Sequence, residues 1–242
     1  MLWRSDPDFP YFSIGRREIV LHRTIAQFAA SILEQISRLP AGSEAGAGNR
    51  RSAFRISVPG APEIFARRAR RGGMAQLVSK DLYVGLAPRP MRELAVTREA
   101  IGRGIPVAEP MGAIVEWVAP LLYRGVFLTR AIPAMTLWEF LCADDDPVAR
   151  GHVLAIAREA IAGMHSRGLV HGDLNLNNLL VARSGESFSI VVIDLDQARL
   201  CKGPIPAERR RAELARMARS ARKLDPAGRR IDAATLAIVC AE

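Results

Sequence analysis

Lysine is nearly missing from this chain. Of its 34 basic side chains only Lys80, Lys202 and Lys223 are lysines, and the rest are arginines. Cysteine is scarce too. Cys142, Cys201 and Cys240 are odd in number and widely separated, which excludes a disulfide framework or a metal-binding spacing and points to a reducing compartment. No apolar run approaches the roughly 20 residues that span a bilayer, and the N-terminus lacks a basic-then-apolar leader pattern. The expectation is a cytoplasmic protein, with peripheral contact at the cytoplasmic face of the inner membrane still open to it. Aromatic residues make up 6% of the chain and are not interleaved with the arginines. That removes the stacking platform a single-stranded nucleic-acid binder needs, so no nucleic-acid partner is expected.

What is present is enough apolar material for a core. The 242 residues are 49% hydrophobic, sufficient for one large domain or two small lobes. The net charge is +9, carried by a side chain whose planar fork suits phosphate and carboxylate groups. An anionic partner follows, or arginine serves merely as surface charge.

Residues 16–23 read as a short strand. Thr24 and Gln27 form a capping-box pattern ahead of Ile25, Phe28, Ile32 and Ile36, which recur at helical spacing. The segment 40–50 has loop composition. SAFRISV and EIFARRAR flank Pro59-Gly60-Ala61-Pro62 and predict an antiparallel hairpin. Pro90 opens a helix to about Arg103 with Arg92 and Glu93 in its first turn. Residues 125–132 form another strand. Asp146 and Pro147 fit the cap and first position of a helix to about Arg167, stopped by Gly168. A strand is predicted at 189–196, and the basic helix at 207–224 reads as a solvated face. The order of elements divides the chain into a sheet-rich lobe, 1–132, and a short helical lobe, 133–242.

The stretch LVHGDLNLNNLL, residues 169–180, puts one His, one Asp and three Asn inside an apolar run. Such short polar residues compete with the backbone for hydrogen bonds and belong in turns or at chemical sites. Asp173 and Asn178 lie in a loop after a long helix. A hairpin turning at Ser184-Gly185-Glu186 returns Asp194 to the same edge. One carboxylate to orient a hydroxyl and take its proton, with a carboxamide and a second carboxylate to hold magnesium, is the set that phosphoryl transfer requires.

At this point the chain resembles a known superfamily. MHSRGLVHGDLNLNNLL followed by VVIDLD is similar to the H-x-D-x-x-x-x-N loop and Asp-Phe-Gly-type segment of protein-kinase-like enzymes. The resemblance implies a bilobal protein-kinase-like α+β fold and makes Asp173 the catalytic Asp, with Asn178 and Asp194 the metal ligands for Mg2+ beside ATP. His165 and His171 take structural positions. Asp196 stands where glycine is usual and reads as a supporting acid. Gly46 and Gly48 occupy the place of a phosphate-covering loop but lack the third glycine, so a plain linker fits them equally. Glu93 matches the helix glutamate that pairs with a strand lysine. That lysine is absent, and Arg67 or Arg68 stands in its place.

Further segments are similar to the lipopolysaccharide core kinases, which act on 3-deoxy-D-manno-octulosonic acid (Kdo) or heptose. They are RRARRGG and the run from Arg92-Glu93 through Gly104-Ile105-Pro106-Val107-Ala108-Glu109-Pro110. The resemblance covers about residues 45 to 200. It implies an ATP-dependent kinase for an anionic sugar-lipid acceptor. Fewer than 50 residues follow Asp194, which leaves no room for peptide-binding helices. An aminoglycoside- or choline-type phosphotransferase and an inactive kinase-fold scaffold are the alternatives.

Overall fold

The computed structural model describes residues 6–38, 53–68, 82–232, 235, 239 and 240. The Gly46 and Gly48 loop and the RRGG turn at 70–73 lie outside the described residues. The chain forms two compact units, one of residues 1–98 and 109–131, the other of 99–108 and 132–242.

The first unit contains β1 (Tyr11–Ile14), β2 (Arg17–Leu21), α1 (Arg23–Ala26), α2 (Ala29–Arg38), β3 (Ala53–Ile56), β4 (Ile64–Arg68), β5 (Tyr83–Val84), most of α3 (Arg89–Gly102), β6 (Pro110–Ala119) and β7 (Leu122–Arg130). The strands form one antiparallel sheet in the order β1-β2-β6-β7-β4-β3, with β5 also paired to β7. The predicted hairpin is β3–β4, with Ile56 opposite Ile64.

This sheet is buried on both faces, which is why its inner strands read as continuous apolar runs rather than alternating ones. One face carries Ile19, Leu21, Ile64, Ala66, Met111, Ile114 and Leu128 against Ile25, Ile32 and Ile36 of the helices. The other carries Val20, Ala113, Val115 and Phe127 against Met91 and Leu94 of α3. In β6 the facing pattern changes parity at Gly112, where the register slips. That residue has φ 153°, and a Cβ there would run into the Val20 carbonyl oxygen.

The expected cap at Thr24 is corrected by the structure. His22 is the N-cap, its Nδ1 accepting from the Thr24 amide and lying 2.8 Å from Thr24 Oγ1. The helical run also breaks between α1 and α2, so Ile32 and Ile36 belong to a second helix. The side chain of Thr24 is thus taken up by His22 rather than by an amide three residues on.

The second unit contains β8 (Ala134–Thr136), α4 (Leu137–Ala143), α5 (Pro147–Ser166), β9 (Leu169–Val170), a 3-10 turn (Leu176–Asn178), β10 (Leu179–Ser184), β11 (Ser187–Val192), β12 (Arg199–Leu200) and α6 (Ala207–Leu224). Thr136 and Glu139 close a full capping box on α4. Asp146 caps α5 by accepting from the Val148 amide at 2.9 Å. The long helix buries Val153, Leu154, Ala157, Ile161 and Met164. Gly168 (φ 85°) follows its end.

β10 and β11 pair from Leu179 opposite Val192 to Ser184 opposite Ser187. The strand ends at Val192 instead of running to residue 196. The Gly104–Ala108 segment lies beside it, with Val192 bonded to both the Pro106 carbonyl and the Ala108 amide.

Replacing Gly112 with alanine adds a clash to a backbone conformation that L-residues avoid, so unfolding should come about 2 kcal/mol or more earlier. Urea denaturation of the Gly112→Ala chain measures this. Unchanged stability would mean that β6 re-registers without cost.

Candidate active site

The loop between β9 and β10 is held from below by one buried carboxylate. Glu213, on α6, accepts from the His171 amide at 3.1 Å and from the Gly172 amide at 2.5 Å. Its Oε2 also lies 3.1 Å from His165 Nε2 at the end of α5. Burial alone would push the Glu213 carboxyl up, but these donors outweigh it and hold the group below the ordinary glutamate value. The basic helix is therefore not a purely solvated face. It turns Glu213, Leu214, Met217 and Ala221 inward.

Gly172 lets the loop pass over this clamp. It has φ 82°, and a Cβ would lie 2.7 Å from the Gln197 carbonyl oxygen. His171 then ties two segments together. Its Nδ1 accepts from the Asp173 amide at 3.3 Å, and its Nε2 meets the Ile193 carbonyl at 3.0 Å. A carbonyl can only accept, so Nε2 is the donor in that contact.

The asparagines divide the remaining work. Asn175 and Asn178 each donate Nδ2 to the Asp173 carbonyl, both at 2.9 Å. Asn175 also accepts from the Asn177 amide, closing the 3-10 turn. Donation through Nδ2 fixes the orientation of Asn178 and leaves its carboxamide oxygen turned the other way. The Ile193 amide donates to the Asn178 carbonyl at 3.0 Å, which joins the loop to the residue before Asp194.

Asp194 itself has φ 65°. Aspartate is among the residues that accept the left-handed region, though at a cost of about 1 kcal/mol or more. The two carboxylates feel one another. Burial first, and then the Asp194 charge, raises the Asp173 carboxyl above its ordinary value, against smaller opposing effects from His171 and Arg216. Two hard-oxygen groups with a carboxylate between two loops form a donor set that suits magnesium, which takes one or two carboxylates and fills its shell with water and phosphate oxygen. The chemistry of the donor set fits the ion.

Three residues at this site were not read from the sequence: Glu213, Asn175 and Arg216. Arg216 lies three positions beyond Glu213, so it shares a helix face with the clamp. It is exposed, acts electrostatically on Asp173, and makes no hydrogen bond or ion pair with the described residues. Asp196 follows Leu195 in the turn after β11 and takes no part in the contacts just described.

In the first unit the half-buried Arg67 pairs with the buried Glu93. Arg67 Nη2 donates to both carboxylate oxygens, at 2.6 and 2.5 Å. Arg68, next along β4, reaches instead to the Ile36 carbonyl at the end of α2. Strand alternation sends the two guanidiniums to opposite faces.

The lipopolysaccharide kinase (Kdo/WaaP) family model matches residues 41–236. A 3-deoxy-D-manno-octulosonic acid kinase of Xanthomonas campestris pv. campestris (strain B100) is 34% identical over 182 residues, spanning 73% of this chain and 68% of that protein. The kinase of the same description from Xylella fastidiosa (strain M23) is 31% identical over 185 residues, with the same coverage. Among solved structures, WaaP in complex with acyl carrier protein superposes with a TM-score of 0.56 at 20% identity, covering 91% of this chain and 88% of that one. This likeness establishes a shared kinase-like fold.

Exchanging Glu213 for glutamine keeps the shape but puts an NH2 against amide donors, so a buried N–H loses its acceptor. The expected cost is about 1–3 kcal/mol at neutral pH. Because the native Glu213 value is depressed, its contribution is complete above the ordinary value of 4.5 and disappears as pH falls through the lowered native value. Denaturation of Glu213→Gln and the parent chain from pH 7 to 3 should therefore show two curves that converge in acid. A gap that stays constant with pH would contradict the clamp.

Proposed function

We infer the function from one premise: the chain belongs to the lipopolysaccharide kinase (Kdo/WaaP) family. It is an ATP-dependent kinase that adds phosphate to a sugar hydroxyl of the lipopolysaccharide inner core, on Kdo or heptose attached to lipid A. The observation that carries this reading at the level of residues is the braced loop that brings Asp173 and Asn178 together with Asp194.

In the proposed reaction Asp173 accepts the hydrogen bond of the acceptor hydroxyl and takes its proton as the oxygen attacks the γ-phosphorus. ADP leaves with the electrons of the broken P–O bond. The raised Asp173 carboxyl favours this role, since a stronger base draws the proton better. Asn178 and Asp194 are the residues that would hold magnesium, which supplies charge neutralisation at the phosphates when bound. Arg67, held by Glu93, is the proposed replacement for the missing strand lysine at the nucleotide phosphates. Its fork is longer and planar, so it would meet two oxygens where an ammonium meets one.

The acceptor reading has support from charge. Arg216 acts electrostatically on Asp173 and makes no hydrogen bond or ion pair among the described residues, which suits it to a carboxylate or phosphate on the sugar. The chain carries +9 overall, which draws it to a surface displaying anionic groups. No helix among the described residues is long and apolar enough to cross a membrane. Peripheral contact with the cytoplasmic face of the inner membrane therefore completes the proposal.

The test incubates the protein with labelled ATP and, separately, Kdo-lipid A, heptosylated core, an aminoglycoside and a generic protein. Label is expected in a sugar lipid, and label confined to the aminoglycoside or the protein would overturn the reading. Asp173→Asn should lower turnover by about 10² or more with nucleotide affinity nearly unchanged, as for loss of a positioned base. Near-parental rates would remove Asp173 from that role.

Arg67 and Arg68 make a sharper pair. Arg67→Ala should weaken nucleotide binding by roughly tenfold, the scale of one charge-assisted contact, while Arg68→Ala leaves it close to the parent. Calorimetric titration separates the two, and equal small effects would point to another phosphate anchor.

A further inference from the structure

Seven large hydrophobic side chains are exposed among the described residues, and four of them sit on turns or the strand ends beside them in the first unit's sheet. Leu86 is 73% exposed, Val84 61%, Ile14 53% and Leu121 46%. An isolated exposed leucine means little, but a cluster of this kind marks a surface that meets something apolar.

The turns are physically linked. The β1–β2 turn places Ile14 opposite Arg17, and Arg16 binds the backbone of β6 through Trp117 N and Val118 O, both at 2.9 Å. β6 then turns into β7 through Leu121, whose carbonyl accepts from the Gly85 amide at 2.8 Å. Val84 pairs with Leu122 across β5 and β7. Beneath these residues lies a rigid aromatic layer. Tyr83 stacks on Tyr123 with centroids 5.6 Å apart, and Trp117 meets Tyr123 edge-on at 5.5 Å.

Leu121 supplies the independent sign of selection. Its φ is 66°, a conformation that suits glycine or asparagine in a turn and strains a leucine. An exposed leucine gains nothing from the core to offset that strain. The apolar side chain itself must be what is wanted there.

The charges around the patch choose the occupant. Arg16, Arg17, Arg89 and Arg124 stand on these turns or beside them, against Glu18 and Glu116. Glu116 is already engaged by Arg17 at 3.0 Å and approached by Arg124 at 3.9 Å, and Glu18 accepts from the Trp117 indole. Apolar side chains projecting from a rim with surplus arginine match an anionic lipid surface, where leucines enter the acyl boundary and arginines meet the headgroups.

We infer that the linked turns bearing Ile14, Val84, Leu86 and Leu121 form a docking surface for an anionic bilayer. This assignment rests on the membrane-borne acceptor proposed above, and adds which surface makes the contact.

The experiment uses the full chain with vesicles of phosphatidylethanolamine and phosphatidylglycerol, and with pure phosphatidylcholine vesicles as the neutral control. The parent should co-sediment with the anionic vesicles, and less so as salt rises. A Leu86→Glu, Leu121→Gly double variant should bind them at least about tenfold more weakly. Leu121→Gly alone relieves the strained turn, so its Tm should not fall below the parent's, which separates lost binding from lost folding. Both chains should phosphorylate a deacylated, water-soluble Kdo acceptor within about twofold of each other.

Equal vesicle binding by parent and variant would overturn the docking surface. So would a parent that dimerises through these leucines in sedimentation velocity while its vesicle binding ignores them. A chain that docks through these turns yet phosphorylates no sugar would refute the acceptor reading alone. One that phosphorylates Kdo but ignores these residues for docking would refute the surface alone.

Discussion

A single buried carboxylate sets the geometry of the second unit. Glu213 is placed by a helix whose other polar positions are mostly arginine, and its charge is tolerated only because three donors converge on it. A buried ion with fewer partners would neutralise instead. The backbone amides of His171 and Gly172 are thus fixed relative to α6, and the end of α5 is fixed through His165. The direction in which Asp173 leaves the loop follows from that. His171 extends the same constraint to Ile193, so the residue before Asp194 is tied to the clamp by two hydrogen bonds in series. A change at residue 213 would displace both carboxylates together.

Much of this was legible in the sequence. The β3–β4 hairpin was marked by Pro-Gly chemistry, and α5 by Asp146-Pro147 at one end and Gly168 at the other. The H-x-D-x-x-x-x-N spacing identified the loop because a short segment of polar residues inside an apolar run has few structural uses. What escaped notice had weaker local signals. Glu213 is one acid among many arginines, and averaging over the helix hides it. Tracing the 213-214-217-221 face would have shown an inward stripe with an acid in it. The Thr136–Glu139 capping box was a plain T-x-x-E pattern that lay unread at the junction between predicted units. At Thr24 the reverse happened, since His22 competed locally for the threonine that a pattern alone would make the cap.

The arginine bias also acquires a physical sense. With β4 offering arginine at both candidate positions, alternation along the strand assigns them different tasks, and Arg67 meets the buried Glu93 through a single nitrogen bridging both oxygens. A guanidinium stays charged even where a lysine would lose its proton on burial. The pair therefore survives desolvation. Whether the sequence read Arg67 or Arg68 as inward could not be settled by composition; it depended on the register that Phe65 and Thr129 share across β4 and β7.

Two non-glycine residues among the described ones hold positive φ, Asp194 and Leu121. The first lies where chemistry is proposed and the second on the exposed turns. They are not equivalent. Aspartate's short polar side chain makes the left-handed region affordable, and the neighbouring Ile193 is held at both its amide and its carbonyl. Leucine has no such short polar side chain, and the carbonyl of Leu121 accepts from the Gly85 amide. Strain persists where the surroundings over-determine it or where the side chain is needed for another purpose. Asp194 satisfies the first condition. Leu121, with a side chain largely facing solvent, fits the second through the docking role proposed for these turns, where the apolar side chain rather than the backbone carries the constraint.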